Sequence, residues 1–130
     1  MPAHRSGPKI GVLVPFTNVN LEPEMMALCP PGCTMHFERI GGYDVDEISG
    51  SAQMAGLGAS GISGSLHLIS GVWPAVVLYG CTSATLTHST RFDHDLAAKI
   101  AVRSNAKSLT AAGSLVAAIK SLGATKVGFA

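Results

Sequence analysis

One of the three cysteines, Cys81, stands in the run Tyr79-Gly80-Cys81-Thr82-Ser83-Ala84-Thr85, directly behind the apolar segment Ala75–Tyr79. In an open α/β sheet, ligands bind beyond the carboxyl ends of the strands, so a nucleophile at this point stands at the mouth of a cleft. Thr82, Ser83 and Thr85 add hydroxyls, and the amides after Cys81 can point at a carboxylate or an enolate oxygen. A helix start or amide nest there would also favour the thiolate over the thiol. Sulfur so placed can add to an electrophilic carbon or remove a proton next to a carboxylate. The competing reading is a small buried hydrophobe, the commonest fate of a free cysteine.

A second group, Pro15-Phe16-Thr17-Asn18, ends an earlier apolar run. Parallel neighbouring strands would bring it to the same edge as Cys81. Asn18 can donate to one carboxylate oxygen and accept from another group. Its plain alternative is an ordinary turn or helix-entry asparagine. Cys29 and Cys33 frame a Pro-Pro-Gly turn. Two thiols at that spacing could hold half a zinc site, but no second Cys or His pair is suitably spaced. His4, His36, His67, His88 and His94 are scattered, so no metal is expected. His88 and Arg91 follow the Cys81 loop and could attract an anion, or simply be solvated. Gly56-Leu57-Gly58-Ala59-Ser60-Gly61 has the G-x-G-x-x-G spacing. It lies inside a helix-like stretch and not just after a strand, which removes the context a dinucleotide site requires.

Strands and helices must alternate to position these groups. Lys9–Phe16 is short, apolar and rich in β-branched residues, and reads as a buried first strand. Asn20 is expected to cap a short helix through Glu22, Pro23 and Glu24, with acids and proline in its first turn. Pro30, Pro31 and Gly32 end it, and Thr34–Ile40 is a second strand. Apolar residues fall at helical spacing from Asp46 to about Leu68, although five glycines from Gly50 to Gly64 weaken that helix. Ala75–Tyr79 is the third strand. Asp93 to about Arg103 is an amphipathic helix with acids first and bases last. A short strand near Ala106–Leu109 precedes a helix from Thr110 to Leu122, closed by Gly123. Lys126–Ala130 begins another strand. The order predicts an α/β domain with a doubly wound, mostly parallel sheet flanked by helices.

At 130 residues the chain can bury roughly two-thirds of the surface its unfolded form exposes. Nine basic and eight acidic residues are well mixed and leave a net charge of +1, so nucleic acid is not an expected partner. Apolar stretches break well short of the ~20 residues a membrane span needs, and Met1–Lys9 lacks the apolar core of a secretion signal. An odd number of cysteines argues against a disulfide framework and for the cytoplasm. A chain that ends on an unfinished strand suggests further protein after Ala130, either a second half or a swapped partner. The unfinished edge and apolar helix faces favour a homo-oligomer.

The segments GVLVPFTNVNLEPE, VVLYGCTSAT and SLTAAGSLVAAIKSLGATKVGFA together resemble the maleate cis–trans isomerase and arylmalonate decarboxylase branch of the aspartate/glutamate racemase superfamily. The resemblance runs along nearly the whole chain but covers only the first of two pseudo-symmetric halves. It implies a flavodoxin-like half facing a second across a cleft, without metal, flavin or pyridoxal. Cys81 would be the first-half thiol; decarboxylases of this branch carry glycine there, so the cysteine points to isomerase or racemase chemistry. Asn18 matches a substrate-binding asparagine, and Thr82 and Ser83 match a carboxylate-binding loop. Pro15 would line the cavity wall, and Thr17 belongs to the same VPFTN signature on the substrate side.

The resulting expectation is a cofactor-independent isomerase of maleate-to-fumarate type acting on a small dicarboxylate. An amino-acid racemase of the Asp/Glu type and a non-catalytic binding or assembly domain are the alternatives. The second thiol belongs to the half this sequence lacks, so the short chain alone is expected to show little turnover.

Overall fold

The fold was analysed in a computed structural model, which describes residues 7–41, 52 and 62–128. Its centre is β1, Lys9–Pro15, where Val12, Leu13 and Val14 are completely buried. Burial on both faces explains why this strand reads as a continuous apolar run and not an alternating one. The order continues α1 (Leu21–Ala27), β2 (Thr34–Ile40), α2 (Ile62–Ser70), β3 (Val76–Tyr79), α3 (Thr82–Leu86), α4 (Thr90–Ser104), β4 (Lys107–Thr110) and α5 (Ala111–Ser121).

The four strands lie in the order β2-β1-β3-β4, and every pairing is parallel. The chain winds outward from β1 to β2, then returns across β1 to β3, so the order reverses between β1 and β3. Such a switch point opens a crevice at the carboxyl ends of the strands. Right-handed crossovers put α1 on one face of the sheet and α2 and α4 on the other, where α2 and α4 pack together. The core sits on that second face: Leu13, Ile40, Val77 and Tyr79 from the sheet meet Ile62, Leu66 and Ile69 of α2 and Leu96 and Ile100 of α4. Cover is thinner elsewhere, since α1 has no buried residue and α5 buries only Ala112.

Several boundaries differ from the sequence expectation, each for a local reason. Asn20 occupies the cap position of α1, but its side chain makes no cap bond. Asn18 does that work instead, its Oδ1 accepting from the amides of Asn20 and Leu21, both at 2.9 Å. The helix expected from Asp93 begins at Thr90 because Ser89 Oγ accepts from the amide of Phe92, a serine cap ahead of the acidic turn. Asn105 ends that helix at φ 50°, in the left-handed conformation that asparagine tolerates. Thr110 caps α5 by accepting from Gly113 N at 2.9 Å, and Gly123 follows at φ +64°. The strand expected at Lys126 is not formed through Gly128, and the last two residues lie outside the described ones. Of the helix expected from Asp46, the described part is α2; the rest, with the Gly56–Gly61 run, lies outside the described residues apart from helical Ala52.

Candidate active site

Register fixes what shares an edge. Pro15 pairs with Ile40, Leu13 with Tyr79, and Tyr79 with Thr110. The segments leaving β1 and β3, which carry Asn18 and Cys81, therefore emerge together at the carboxyl edge, on either side of the switch point. Gly80 N donates to Leu13 O at 2.9 Å, continuing the β1–β3 ladder by one residue. A Cβ at Gly80 would stand 2.4 Å from Leu21 Cδ2 and 2.9 Å from Leu13 O. Close approach, not a left-handed turn, is what demands glycine here, because Gly80 is not among the described residues with positive φ.

Cys81 then adopts an extended conformation, φ −131° and ψ 103°, at the cap position of α3. Its side chain makes no cap hydrogen bond, but the backbone N–H groups of Ser83 and Ala84 lie on the side of the sulfur and favour its charged form. Burial pushes the thiol pKa up, and those two amides offset part of the rise by favouring the thiolate. The residue is 7% exposed and joins the core alongside Tyr79 and Ala84. Cys81 is thus a covered thiol beside the first amides of α3, not one standing open to solvent. Beside it, Thr82 is half-buried and Ser83 exposed, while buried Thr85 turns its hydroxyl onto Thr82 O at 3.0 Å. Tyr79, beneath, is completely buried. Burial, and then the neighbouring Cys81, raise its phenol above the tyrosine range.

The linkage has a definite sign. A folded-state thiol pKa above the unfolded value means that the native chain holds the proton more tightly. Cys81 therefore stabilises the fold below the ordinary thiol pKa, and that contribution fades as pH rises through the raised value. Denaturant unfolding across the alkaline range should show falling stability, and Cys81→Ala should flatten the part due to this residue.

Pro15 is buried, Thr17 exposed and Asn18 half-buried. Asn18 N closes a turn onto Pro15 O at 2.9 Å. Both lone-pair directions of Asn18 Oδ1 are taken by the start of α1, which leaves Nδ2 as the side chain's hydrogen-bonding group toward anything else. Its expected double role, donor to one group and acceptor from another, is reduced to donor. The capped turn of α1 carries Leu21, the side chain that crowds Gly80, so the two candidate segments meet through this contact.

Arg39 was not singled out from the sequence. From β2 it donates Nη1 to Pro15 O at 3.1 Å and to Asn18 O, and pairs Nη2 with Glu22 Oε2 at 2.6 Å. It ties the Pro15–Asn18 turn to α1. Its partners lie 17 to 24 positions away, a separation no local pattern encodes.

Other candidates lie apart. Cys33 immediately precedes β2, whose first residue pairs with Lys9, so Cys29 and Cys33 belong to the amino-terminal edge, away from Cys81. His88 stacks on Phe92 with ring centroids 3.9 Å apart, and Arg91 faces Asp95 at 3.8 Å on exposed helix surface. A groove of about 370 Å³ opens between α3, α4 and α5, lined by Thr85, His88, Asp93, His94, Val116 and Lys120 among others. Neither Cys81 nor the Pro15–Asn18 turn lines it. Among the described residues no cluster of three His, Cys, Asp or Glu could hold a metal ion, and no helix is long and apolar enough to cross a membrane.

No protein-family model and no curated protein matches the sequence. Solved structures do match the fold. The maleate isomerase Iso from Pseudomonas putida S16 superposes with a TM-score of 0.76 at 20% identity, over 89% of this chain and 50% of that one. Nocardia farcinica maleate cis-trans isomerase bound to TRIS gives 0.74 at 26% identity, over 89% and 49%. A cysteine-to-serine mutant of the Nocardia enzyme, with a covalently bound succinylcysteine intermediate, gives 0.72 at 26% over the same shares. The chain spans about half the length of these isomerases. Its four-stranded parallel sheet and flanking helices are the fold of half a maleate isomerase.

Proposed function

We propose that the chain supplies the Cys81 half of a cofactor-independent cis–trans isomerase acting on a small dicarboxylate of the maleate type. The observation that carries this reading is the place of Cys81, at the carboxyl edge of β3 and at the start of α3, where the neighbouring backbone N–H groups of Ser83 and Ala84 favour its thiolate. Support comes from the isomerase likeness, which includes a neighbour with a covalent succinylcysteine. The Cys81 thiolate adds to one alkene carbon of the cis acid. A C–S bond forms, and the π pair moves onto the other carbon and its carboxylate. The former double bond rotates as a single bond; the electron pair returns, the C–S bond breaks, and the trans acid leaves with the thiolate restored. Amides near the sulfur and the hydroxyls of Thr82 and Ser83 suit the charge that gathers on carboxylate oxygen. Asn18 Nδ2 and Thr17 donate from the β1 side, and Pro15 supplies wall.

Incubation with maleate, followed by fumarate assay and peptide mapping, tests this. A succinyl group on Cys81, absent from Cys29 and Cys33, is the expected mark. The chain alone should give little fumarate, because the reading assigns the remaining contacts to the other half of the fold. Robust turnover by the short chain would remove the half-site part; equal adduct on all three cysteines would remove Cys81.

One observation favours a second reading, an inert Cys81 in a binding or assembly domain: the thiol is only 7% exposed and its pKa is raised. Iodoacetamide labelling separates the two. Protection of Cys81 by a dicarboxylate supports the isomerase; slow labelling indifferent to dicarboxylate supports the inert residue.

A further inference from the structure

The cysteines that the isomerase reading leaves unused share one turn at the other end of the sheet. α1 stops at Ala27, and Cys29 and Cys33 bracket Pro30-Pro31-Gly32 before β2 begins. Cys33 N donates to Pro30 O at 3.0 Å, and Gly32 has φ +82°. Proline followed by a positive-φ glycine inside an i to i+3 bond is a type II turn. This turn folds the chain back until Cys29 Sγ lies 3.6 Å from the carbonyl oxygen of Cys33. Both cysteines are half-buried, so small thiol reagents reach them, whereas Cys81 is buried. Two prolines also remove backbone freedom that a flexible loop would lose on closing.

We propose that Cys29 and Cys33 form a redox-active dithiol that closes to an intramolecular disulfide by exchange with a low-molecular-weight disulfide such as oxidised glutathione. One cysteine thiolate attacks a glutathione sulfur; the new S–S bond forms as the old one breaks and glutathione thiolate leaves. The second cysteine, deprotonated, attacks the protein-side sulfur and expels the second glutathione thiolate. Two protein thiols are oxidised, one glutathione disulfide is reduced to two thiols, and the two protons released end on the departing glutathione. The product staples the end of α1 to the start of β2, at the edge opposite Cys81, and so acts independently of that residue.

The test equilibrates the full chain with mixtures of oxidised and reduced glutathione, in native buffer and in denaturant, with mass measurement and peptide mapping. Native protein should lose two hydrogen masses and map to a Cys29–Cys33 link. Its equilibrium should favour the disulfide by at least about tenfold over the denatured chain, because the turn already brings Cys29 Sγ to the Cys33 backbone. Cys29→Ser and Cys33→Ser should each stop at a stable adduct with one glutathione, while Cys81→Ser should behave as the parent chain. Persistent glutathione adducts on the parent, a link to Cys81, or equal equilibria in the two conditions would each overturn the proposal.

Discussion

Replacing Cys81 by serine is expected to lower maleate-to-fumarate conversion at least about a thousandfold in any form of the protein that turns maleate over. A hydroxyl at the same position is a far weaker nucleophile at neutral pH, and the backbone amides that favour a thiolate cannot make an alkoxide there. The replacement is nearly isosteric, so the fold should survive. Two measurements check the effect: fumarate formation with time, and the mass of the protein after maleate is removed. The parent chain should retain a succinyl group that the serine form lacks. A serine form that isomerises within tenfold of the parent would take the reaction away from this residue.

The second large effect concerns Gly80. Alanine there should destabilise the fold by about 2–3 kcal/mol, in the range seen when atoms are forced into filled space. The new Cβ meets the end of Leu21 and, more stubbornly, the carbonyl oxygen of Leu13, which belongs to the central strand. Leu21→Ala made on its own removes little, because α1 buries no residue. Combined with Gly80→Ala it should recover only the part of the loss due to the Leu21 side chain, since the Leu13 carbonyl stays. Denaturant unfolding of the two single variants and the double variant separates these contributions. Full recovery in the double variant would mean that the β1 backbone yields easily, against the packing described above.

The doubly wound sheet was legible because its strands advertise themselves. Val12–Val14 and Val76–Tyr79 are apolar runs, and the later helices show their ends: Asp93 and Arg103 at opposite ends of α4 with Asn105 closing it, and Lys120 and Gly123 at the end of α5. The edge shared by Pro15, Asn18 and Cys81 followed from parallel order alone, and the register bears it out. What the sequence concealed were choices made between near-equivalent groups. Asn18 and Asn20 are chemically identical candidates for one cap, and only backbone geometry decides which reaches the amides. Ser89 starts α4 ahead of the acidic turn because a hydroxyl three residues before Phe92 outweighs the charge pattern. The exposure of Cys81 was beyond sequence reasoning as well. Position after a strand says which edge a thiol occupies, but its depth depends on how Ala84 and Tyr79 close around it.

Asn18 spends its oxygen on the first turn of α1, and this has a consequence for selectivity. A side-chain amide normally greets guests of either polarity; tethered this way, it offers newcomers hydrogens and no lone pair. Ammonium groups and alcohols presenting a proton would find no acceptor at Oδ1 unless the helix were first uncapped, while the proposed carboxylate would need only the Nδ2 donor. In the proposed isomerase the turn would thus favour guests that accept hydrogen bonds over guests that only donate them.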